Sequence, residues 1–460
     1  MDTEAIVIGT GFGGSVAALR LGEAGVRTVV LERGRRWPLV SSQDTFAPST
    51  NPDRRSAWFR TSWSGHSIER YAGVRDMIEG DGMTVTQGAG VGGGSLVYAA
   101  FTYQPSREMF RRALGDAIDY DAMDRVFYPR VRAMIKASPI PDDVLAAPCA
   151  AGARRFNEHA KAAGFHFRRL DMAVDWNIVR EEIAGKHEPS WIVGEFTPNS
   201  GAKNTLARNY LALAEGAGPV EIRPLHRVTA IAERKAGFRV SFEAIDELGA
   251  VIASDTADCR LLILAAGSIG TSTLLLRARS KGTLSRLGED VGRWWGGNGD
   301  RFVPVEEERR MVTGVSFEHL DNPHGPVVLE DTPDVRFVMT ADGVGALRYD
   351  PERDDVAPVW PADDPAKIAA TRASAYTNQI LDTRNGLPPA KLHITSRTVH
   401  PLGGAVVGRV CDSFGRVLGH EGLYVVDGAL LPGSSGCANP SLTIAALAER
   451  ALEQIVHEAR

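Results

Sequence analysis

The sequence predicts an α/β protein built on a parallel, doubly wound sheet, because strand-to-helix crossovers appear near its start, middle and end. The first joins a strand at 5–8 to an amphipathic run that ends at Gly25, followed by a second strand at 28–31. Another lies within 259–280, and the last ends in an amphipathic helix over 441–456. Apolar strands followed by helices are typical of parallel sheets that helices cover on both faces.

The opening crossover carries a dinucleotide-binding motif. Gly9, Gly11 and Gly14 have G-x-G-x-x-G spacing, and Glu32 ends the second strand. In this motif the first glycine makes a tight turn, the second admits a pyrophosphate, and the third lets helix and strand pack closely. The helix N-terminus attracts the phosphates, and the acid can accept hydrogen bonds from ribose hydroxyls. The unit therefore predicts NAD or FAD and disfavours NADP, whose 2′-phosphate an acid would repel.

Length, charge and cysteine content narrow the class of protein. A chain of 460 residues predicts two domains or one elaborated domain. The net charge of −5 gives no electrostatic case for nucleic acid or an anionic membrane. Without a signal peptide or an uninterrupted stretch of about 18 apolar residues, we expect a cytoplasmic chain with no transmembrane segment. Widely spaced cysteines without C-x-x-C favour buried small side chains over disulfides or a metal site: Cys149, Cys259, Cys411 and Cys437.

The segments between the crossovers differ in character. Residues 35–82 are rich in Ser, Pro and Arg, which predicts a long excursion over the surface, of the kind that can form a lid. Residues 88–95, GAGVGGGS, lie between apolar segments, which favours close approach of the backbone to a bulky group over a flexible linker. Helical periodicity marks 107–137 and 146–164, and 300–395 reads as a β-rich layer.

Blocks in this order resemble the glucose–methanol–choline (GMC) oxidoreductases and, within that family, are most similar to the bacterial cholesterol oxidases that hold FAD noncovalently. The blocks are GTGFGG (9–14), GAGVGGGSLV (88–97), LAAGSIGTSTLL (264–275), HPLGG (400–404) and LYVVDGALLPGSSGCANPSLTIAALAER (423–450). The resemblance implies a Rossmann-like FAD-binding domain with a parallel sheet and a discontinuous α+β substrate-binding domain with a large β-sheet. The first would comprise 1–40, 204–300 and 414–460; the second would comprise 41–203 and 301–413, with a flavin-contacting loop at 88–101.

The resemblance also implies the reaction. A hydrophobic alcohol, such as a sterol-like or natural-product secondary alcohol or a hemiacetal, would be oxidised to a carbonyl by hydride transfer to flavin N5. Reoxidation by O2 would give H2O2. Two alternatives stay open: a dehydrogenase that uses another acceptor, or an isomerase-like tailoring enzyme with no net oxidation. A non-catalytic flavin protein is disfavoured because both active-site positions of the family are filled. The sequence leaves the oligomeric state undecided, and a monomer is compatible with it.

Three residues are candidates for the chemistry. His400 matches the active-site histidine of the family and would take the hydroxyl proton. Pro401 holds it in an extended conformation. Asn439 precedes Pro440 at a helix start; it can cap that helix and also, as the resemblance implies, hydrogen-bond the substrate oxygen. Glu330 is a looser match to the glutamate that shifts a double bond in sterol substrates, and a surface carboxylate is the alternative.

The resemblance assigns the cofactor contacts in groups. The opening motif would hold the ADP half, the backbone at Val228 would meet adenine, and Asp427 would lie near the ribityl chain and phosphates. Because 88–101 contains no histidine, a histidyl–flavin bond is not expected, and no metal site is expected either. The expected cofactor-binding residues are Gly9, Gly11, Phe12, Gly13, Gly14, Glu32, Arg33, Gly88, Gly92, Gly93, Gly94, Ser95, Val97, Tyr98, Val228, Ala266, Gly267, His400, Asp427, Gly428, Asn439, Pro440 and Ser441.

The positive N-terminal end of the last helix would favour an anionic reduced flavin. Tyr98 and Phe101 follow the glycine-rich segment 88–95 (the glycine loop). The sterol enzymes carry smaller or different residues at these positions, so Tyr98 and Phe101 would reshape the substrate pocket.

Overall fold

A computed structural model describes residues 2–40, 44–304, 311–333, 335–391 and 397–459. Its strands are β1 (Asp2–Ile8), β2 (Thr28–Leu31), β3 (Ser62–Trp63), β4 (His66–Ser67), β5 (Arg75–Glu79), β6 (Thr84–Gly88), β7 (His166–Arg169), β8 (Val220–Arg223), β9 (His226–Arg234), β10 (Gly237–Ile245), β11 (Val251–Leu264), β12 (Arg293–Trp295), β13 (Arg301–Pro304), β14 (Val315–His319), β15 (Val327–Asp331), β16 (Val335–Thr340), β17 (Gly345–Asp350), β18 (Asp355–Val359), β19 (Arg397–Thr398) and β20 (Leu423–Val425).

The α-helices alternate with these strands in the first and last parts of the chain. They are α1 (Phe12–Glu23), α2 (Arg107–Leu114), α3 (Tyr120–Ala122), α4 (Tyr128–Met134), α5 (Asp142–Ala146), α6 (Ala151–Ala162), α7 (Trp176–Ile183), α8 (Tyr210–Ala217), α9 (Gly267–Ser280), α10 (Pro365–Asn385) and α11 (Pro440–Ala459). The helices predicted within 107–137 and 146–164 are present, but the first region is broken after α2, where Gly115 adopts a φ of +62°.

The first sheet has the strand order β8-β2-β1-β11-β10-β9, and β20 also pairs with β11. The pairs β8–β2, β2–β1, β1–β11 and β11–β20 are parallel, as predicted, whereas β10 and β9 extend the sheet antiparallel. Buried side chains alternate between its faces: Val7 packs in the cluster with α1 and α11, and Ile8 packs in the cluster with α9. The carboxyl ends of the parallel strands therefore open between two helical layers.

A second sheet, in the order β13-β16-β15-β14-β7, is antiparallel throughout. One face packs on α6 and α10 through apolar residues that include Phe317 and Leu329. The opposite face carries Glu330, Phe337 and Met339, and the two apolar residues belong to the core cluster that also contains Leu402. This second face thus lies toward the segment that bears His400.

The prediction for 300–395 was incomplete. Strands are present there, but the same region contains α10, a helix of 21 residues. Asp364 caps its first turn by accepting from the backbone N–H groups of Ala366 and Lys367. Its buried face includes polar side chains such as Thr377 and Asp382, so apolar periodicity did not reveal it.

The prediction for 35–82 was wrong in one respect. This segment has little regular structure, but it is not only a surface excursion, because Trp37, Phe46, Tyr71 and Val74 form a buried cluster with Leu96. The rings of Trp37 and Phe46 are 5.1 Å apart. Aromatic residues scattered without a period gave no sign of this packing.

The predictions about the cysteines and about membrane-spanning segments concern features that the structure describes. The cysteines are free: Cys259, Cys411 and Cys437 are buried, and Cys149 is half-buried. Among the described helices, none has the length and apolar character needed to cross a bilayer.

Candidate active site

The turn between β1 and α1 is packed against backbone atoms at Gly9 and Gly14 and has free space at Gly11. Gly9 has a φ of +99°, and a Cβ there would lie 2.3 Å from the carbonyl oxygen of Ala265. A Cβ on Gly14 would lie 2.0 Å from the carbonyl oxygen of Gly9, which is the close packing the sequence predicts. At Gly11 a Cβ would meet no atom within 4 Å. The open side is therefore at the position expected to receive a pyrophosphate.

Gly13 has a constraint that the motif alone does not explain. A Cβ on Gly13 would lie 1.9 Å from the carbonyl oxygen of Val426, directly after β20. The start of α1, whose first residue is Phe12, is thus held against the third crossover, and its backbone N–H groups face the same opening as Gly11.

Glu32 is buried and bonded within the protein. Its Oε2 accepts from the backbone N–H and the hydroxyl of Thr10 (3.1 and 2.7 Å), and its Oε1 accepts from the N–H of Gly34 (2.8 Å). Burial raises the pKa of Glu32. The Thr10 hydroxyl oxygen also accepts from Gly92 N–H at 3.1 Å. Through Thr10, Glu32 thus connects the turn between β1 and α1 with the glycine loop. The predicted contact of Glu32 with a ribose stays a prediction.

The glycine loop lies directly on the turn. A Cβ on Gly93 would lie 2.7 Å from Gly11 Cα, so only glycine fits this approach. The buried Lys203 supports the loop from behind: its Nζ donates to the carbonyls of Leu96 (2.8 Å) and Tyr98 (3.1 Å). Burial holds the pKa of Lys203 well below its usual value. Sequence reasoning missed Lys203, which lies outside the family blocks it used.

Other residues in and directly after the glycine loop line the opening next to Phe12. Ser95 donates to the carbonyl of Gly92 at 2.7 Å and accepts from Leu206 N–H at 3.0 Å. The Tyr98 ring meets Phe12 edge-on at 5.5 Å, and burial raises the pKa of its phenol. Val97 is half-buried beside it. A Cβ at Gly94 would meet only Phe12, at 3.9 Å, so this face is also open.

Asp427 ties the second crossover to the third. Its carboxylate accepts from the N–H groups of Gly267 and Ala429, each at 2.9 Å, and from the hydroxyl of Thr271. Burial raises the pKa of Asp427 to about 6. Ala266 and Gly267 begin α9 here, and Gly428 begins a short 3-10 turn. The positions expected to lie along a ribityl chain therefore come together.

The predicted adenine end lies beside Glu32. The backbone N–H of His226 donates to the carbonyl of Glu32 at 2.8 Å, so β9, which carries Val228, starts at the end of β2. The guanidinium of Arg33 lies 5.3 Å from the ring centroid of Trp58. Open positions at Gly11, Gly94 and Gly267, backed by tight glycine contacts, fit an extended dinucleotide such as FAD.

His400 lies two residues after the end of β19 and is paired with Asp300. Nδ1 of His400 and Oδ1 of Asp300 are 2.9 Å apart. Oδ2 of Asp300 accepts from the hydroxyl of Thr398 (2.9 Å) and the N–H of Val399 (3.0 Å), which fixes the carboxylate. The Asp300 side chain is 1% exposed and the His400 side chain 15%. With Nδ1–H donated to Asp300, Nε2 carries the lone pair.

Asp300 is a residue that sequence reasoning missed. It ends the turn Asn298-Gly299-Asp300, in which both Asn298 and Gly299 have positive φ. A polar turn of this kind is common, and its pairing with His400 spans 100 positions of chain. Only the order of the family blocks could have suggested that the two segments meet.

Asn439 and Glu330 are in direct contact. Nδ2 of Asn439 donates to Oε2 of Glu330 at 3.1 Å. Glu330 is 0% exposed, and burial raises its pKa to about 7. Within the described residues, Oδ1 of Asn439 and Oε1 of Glu330 are buried without a hydrogen-bond partner. The structure therefore places Glu330 in contact with Asn439 and near enough to His400 for an electrostatic interaction, and not on the surface.

Two further contacts position Asn439. Asn298, also missed from the sequence, donates to the carbonyl of Ala438 at 2.8 Å and accepts from Ser435 N–H at 2.9 Å. Beyond Pro440, Ser441 donates to the carbonyl of Phe101 at 3.1 Å. Phe101 is 3% exposed and belongs to the core, so it supports the start of α11.

Comparisons with known proteins indicate which enzymes the chain resembles. The family model described as GMC oxidoreductase matches residues 347–448, which include His400 and Asn439. A cholesterol oxidase of Mycobacterium tuberculosis is 29% identical, with 98% of this chain and 90% of the relative covered. A cholesterol oxidase of Acinetobacter baumannii is 26% identical, with 99% and 94% covered.

Solved structures show the same fold. A pyridoxine 4-oxidase from Mesorbium loti superposes with a TM-score of 0.69 at 16% identity, and a fungal aryl-alcohol oxidase with 0.66 at 14%. Each comparison covers 99% of both chains. Residues 347–448 thus match the GMC oxidoreductase family model, and together with the relatives that cover nearly the whole chain these findings support an FAD-dependent oxidoreductase that acts on CH–OH groups.

Proposed function

We propose that this enzyme oxidises a hydrophobic alcohol to a carbonyl with noncovalently held FAD, using His400 as the proton acceptor and Asn439 as the hydrogen-bond donor to the substrate oxygen. The observation that carries the proposal is the pair of His400 and the buried Asp300, 2.9 Å apart. Glu330 links this pair to Asn439 at the start of α11, because it interacts electrostatically with His400 and accepts a hydrogen bond from Asn439. When bound, the flavin supplies the acceptor for the hydride that leaves the carbinol carbon.

His400 would hold the proton at Nε2. Asp300 fixes the tautomer by accepting from Nδ1–H, so the imidazole can accept the hydroxyl proton without turning. The resulting imidazolium lies next to a carboxylate that is already fixed by Thr398 and Val399. A positioned base of this kind typically contributes about 10²–10⁴-fold to a rate.

Asn439 would orient the substrate oxygen. One N–H of its side-chain amide is used by Glu330, and the second remains for a substrate hydroxyl. Its place before Pro440 fixes the side chain at the N-terminus of α11, where backbone N–H groups add positive potential. Negative charge that develops nearby is stabilised by this end of the helix.

Glu330 would act through Asn439. Its carboxyl is 0% exposed and contacts Asn439, which supports a positioning role over direct contact with substrate in this conformation. We therefore propose alcohol oxidation without a double-bond shift. The isomerase-like alternative would require Glu330 to reach the substrate.

The substrate class rests on the apolar face of the second sheet and on the relatives. Phe337 meets His400 edge-on at 5.5 Å, and Phe302 meets Phe337 at 5.1 Å, so the wall beside the base is aromatic. A sterol-like alcohol, or a natural-product secondary alcohol or hemiacetal, is compatible with it. Two of the relatives are cholesterol oxidases, which supports O2 as the electron acceptor with H2O2 as product.

Anaerobic flavin reduction tests the proposal. Purified enzyme is mixed without oxygen with a panel of sterols, simple aromatic and aliphatic alcohols, and hemiacetals, and absorbance at the flavin band is followed. Bleaching by an alcohol, followed by recovery in air with one H2O2 per turnover, is expected. Bleaching without H2O2 would favour a dehydrogenase, and a flavin that no alcohol reduces would contradict alcohol oxidation. Release of free FAD on acid denaturation tests noncovalent binding separately.

A further inference from the structure

Arg397 is near the proposed base in the chain and has no carboxylate partner among the residues that the structure describes. It is three residues before His400, on β19, and its Cζ lies 5.7 Å from the ring centroid of Phe302. Phe302 meets Phe337, and Phe337 meets His400, at ring distances of 5.1 and 5.5 Å. A row of two aromatic rings therefore connects the guanidinium with the imidazole.

The arginines of the second sheet, which does not include β19, are each paired with a carboxylate. The pairs are Arg168–Glu318 (2.8 Å), Arg169–Asp142 (2.8 Å), Arg301–Asp342 (3.0 Å) and Arg336–Asp382 (2.7 Å). For Arg397, the described part of the chain offers no carboxylate within ion-pair distance, and its one hydrogen bond is a long contact of 3.4 Å to the Thr86 hydroxyl. Arg397 thus differs from the arginines of the second sheet in having no anionic partner among the described residues.

The guanidinium of Arg397 is crowded but can still be reached. Arg397 as a whole is exposed, yet the protein atoms around its guanidinium lower its pKa. The ring of Phe302 stabilises the cation without neutralising it. An anion that arrives from solvent would therefore find a charged group held in a fixed place, in a setting that favours ion pairing more than open water does.

The residues around His400 differ in their exposure to solvent. Val328 and Met339, on the Glu330 side, are 1% and 0% exposed, so that side is sealed. In contrast, the His400 side chain is 15% exposed, and Val399 is 38% exposed. Along the chain, the exposed residues that precede the imidazole on this side are Val399 and Arg397.

We propose that the substrate is an alcohol that carries a carboxylate at its far end, and that Arg397 is the specificity-determining residue that binds this carboxylate. The apolar body of the substrate would lie along Phe302 and Phe337, with its CH–OH group at His400. This inference rests on the proposed function, whose substrate class it narrows. A single planar guanidinium matches a carboxylate in a two-bond fork, whereas phosphate sites usually recruit more than one donor group.

Equilibrium binding of substrate-like acids to the holoenzyme tests the proposal independently of turnover. The probes are 4-methylbenzoate and biphenyl-4-carboxylate, each beside its uncharged methyl ester, with binding followed by perturbation of the flavin absorbance spectrum. 4-Methylphenyl phosphate serves as a third anion. The variants are Arg397→Gln, Arg397→Lys and, as a matched control, Arg409→Gln, whose guanidinium also lies over an aromatic ring, that of Trp294, at 5.1 Å.

Wild-type enzyme is expected to bind at least one acid about tenfold or more tightly than its ester, as expected for a charge-assisted fork. Arg397→Gln should abolish this preference and leave ester binding unchanged, Arg397→Lys should retain part of it, and Arg409→Gln all of it. Equal binding of acid and ester by wild type, or a preference for the acid that survives Arg397→Gln, would overturn the assignment of Arg397. Tighter binding of the phosphate than of the carboxylates would overturn the proposal that the anionic group of the substrate is a carboxylate. If uncharged alcohols still reduce the flavin in Arg397→Gln, the proposed function stands even where this inference fails.

Discussion

The imidazole of His400 and the carboxylate of Asp300 are joined by a 2.9 Å contact between Nδ1 and Oδ1, with Asp300 fully enclosed. Because the carboxylate is held by two further donors, it dictates both the orientation and the tautomer of the histidine. In the proposed function, this pair gives His400 a defined acceptor atom for the substrate proton, Nε2.

Replacing Asp300 by Asn should impair chemistry without unfolding the site. The amide keeps the size of the side chain but loses its charge, and it can present an N–H to Nδ1 and favour the wrong tautomer. We expect the rate of flavin reduction to fall on the order of 10²–10⁴-fold. Stopped-flow absorbance measures this rate, and FAD content checks folding.

The matched control for Asp300→Asn is Asp142→Asn, which removes an exposed carboxylate paired with Arg169 at 2.8 Å. It should leave the rate unchanged. An Asp300→Asn enzyme that reduces its flavin at the wild-type rate would show that the pair is only structural.

Glu330 should make stability depend on pH. Its pKa is raised from 4.5 to about 7, so the protonated carboxyl favours the folded state below pH 4.5, and this contribution is lost as pH rises through about 7. Glu330→Gln removes the ionisation. Between pH 4.5 and pH 8, we expect the free energy of unfolding of the variant to rise relative to that of wild type by at most about 3 kcal/mol.

Urea unfolding of the holoenzymes at pH 5 and pH 8 measures this gain. The control is Glu108→Gln, whose side chain is 71% exposed, and which should show no such trend. If the difference in free energy of unfolding between Glu330→Gln and wild type does not grow with pH, the carboxyl of Glu330 does not titrate in this range.

Gly11 and Gly13 should respond differently to alanine. A Cβ at Gly11 has no neighbour within 4 Å, so Gly11→Ala should fold, but it should weaken FAD binding about tenfold or more if the pyrophosphate passes there. A Cβ at Gly13 would lie 1.9 Å from the Val426 carbonyl oxygen, so Gly13→Ala should reduce soluble yield. Flavin retention and the unfolding midpoint distinguish the two effects.

Gly216→Ala, at a helical site that also has no neighbour within 4 Å, is the control for a neutral change. Unchanged FAD affinity in Gly11→Ala would place the cofactor elsewhere.

The sequence predicted well what depends on neighbouring residues. The G-x-G-x-x-G turn, the crossover into α9 and the helix after Asn439 are local patterns, and the structure contains each of them. The pairing of Asp300 with His400 and the support of the glycine loop by Lys203 join segments about 100 residues apart, which no local pattern reveals. The buried face of α10 was missed because it is polar, and it is polar because Arg336 and His319 hydrogen-bond to it.

The central claim is that His400 takes the proton of the substrate alcohol. The most direct test is the anaerobic rate of flavin reduction in His400→Ala, with an alcohol that bleaches the wild-type flavin. The control is His187→Ala, because His187 also lies 2.9 Å from a carboxylate, that of Glu181, outside the site. The account predicts a rate at least about 10²-fold lower in His400→Ala, with FAD still bound, and no change in His187→Ala. An unchanged rate in His400→Ala would contradict it.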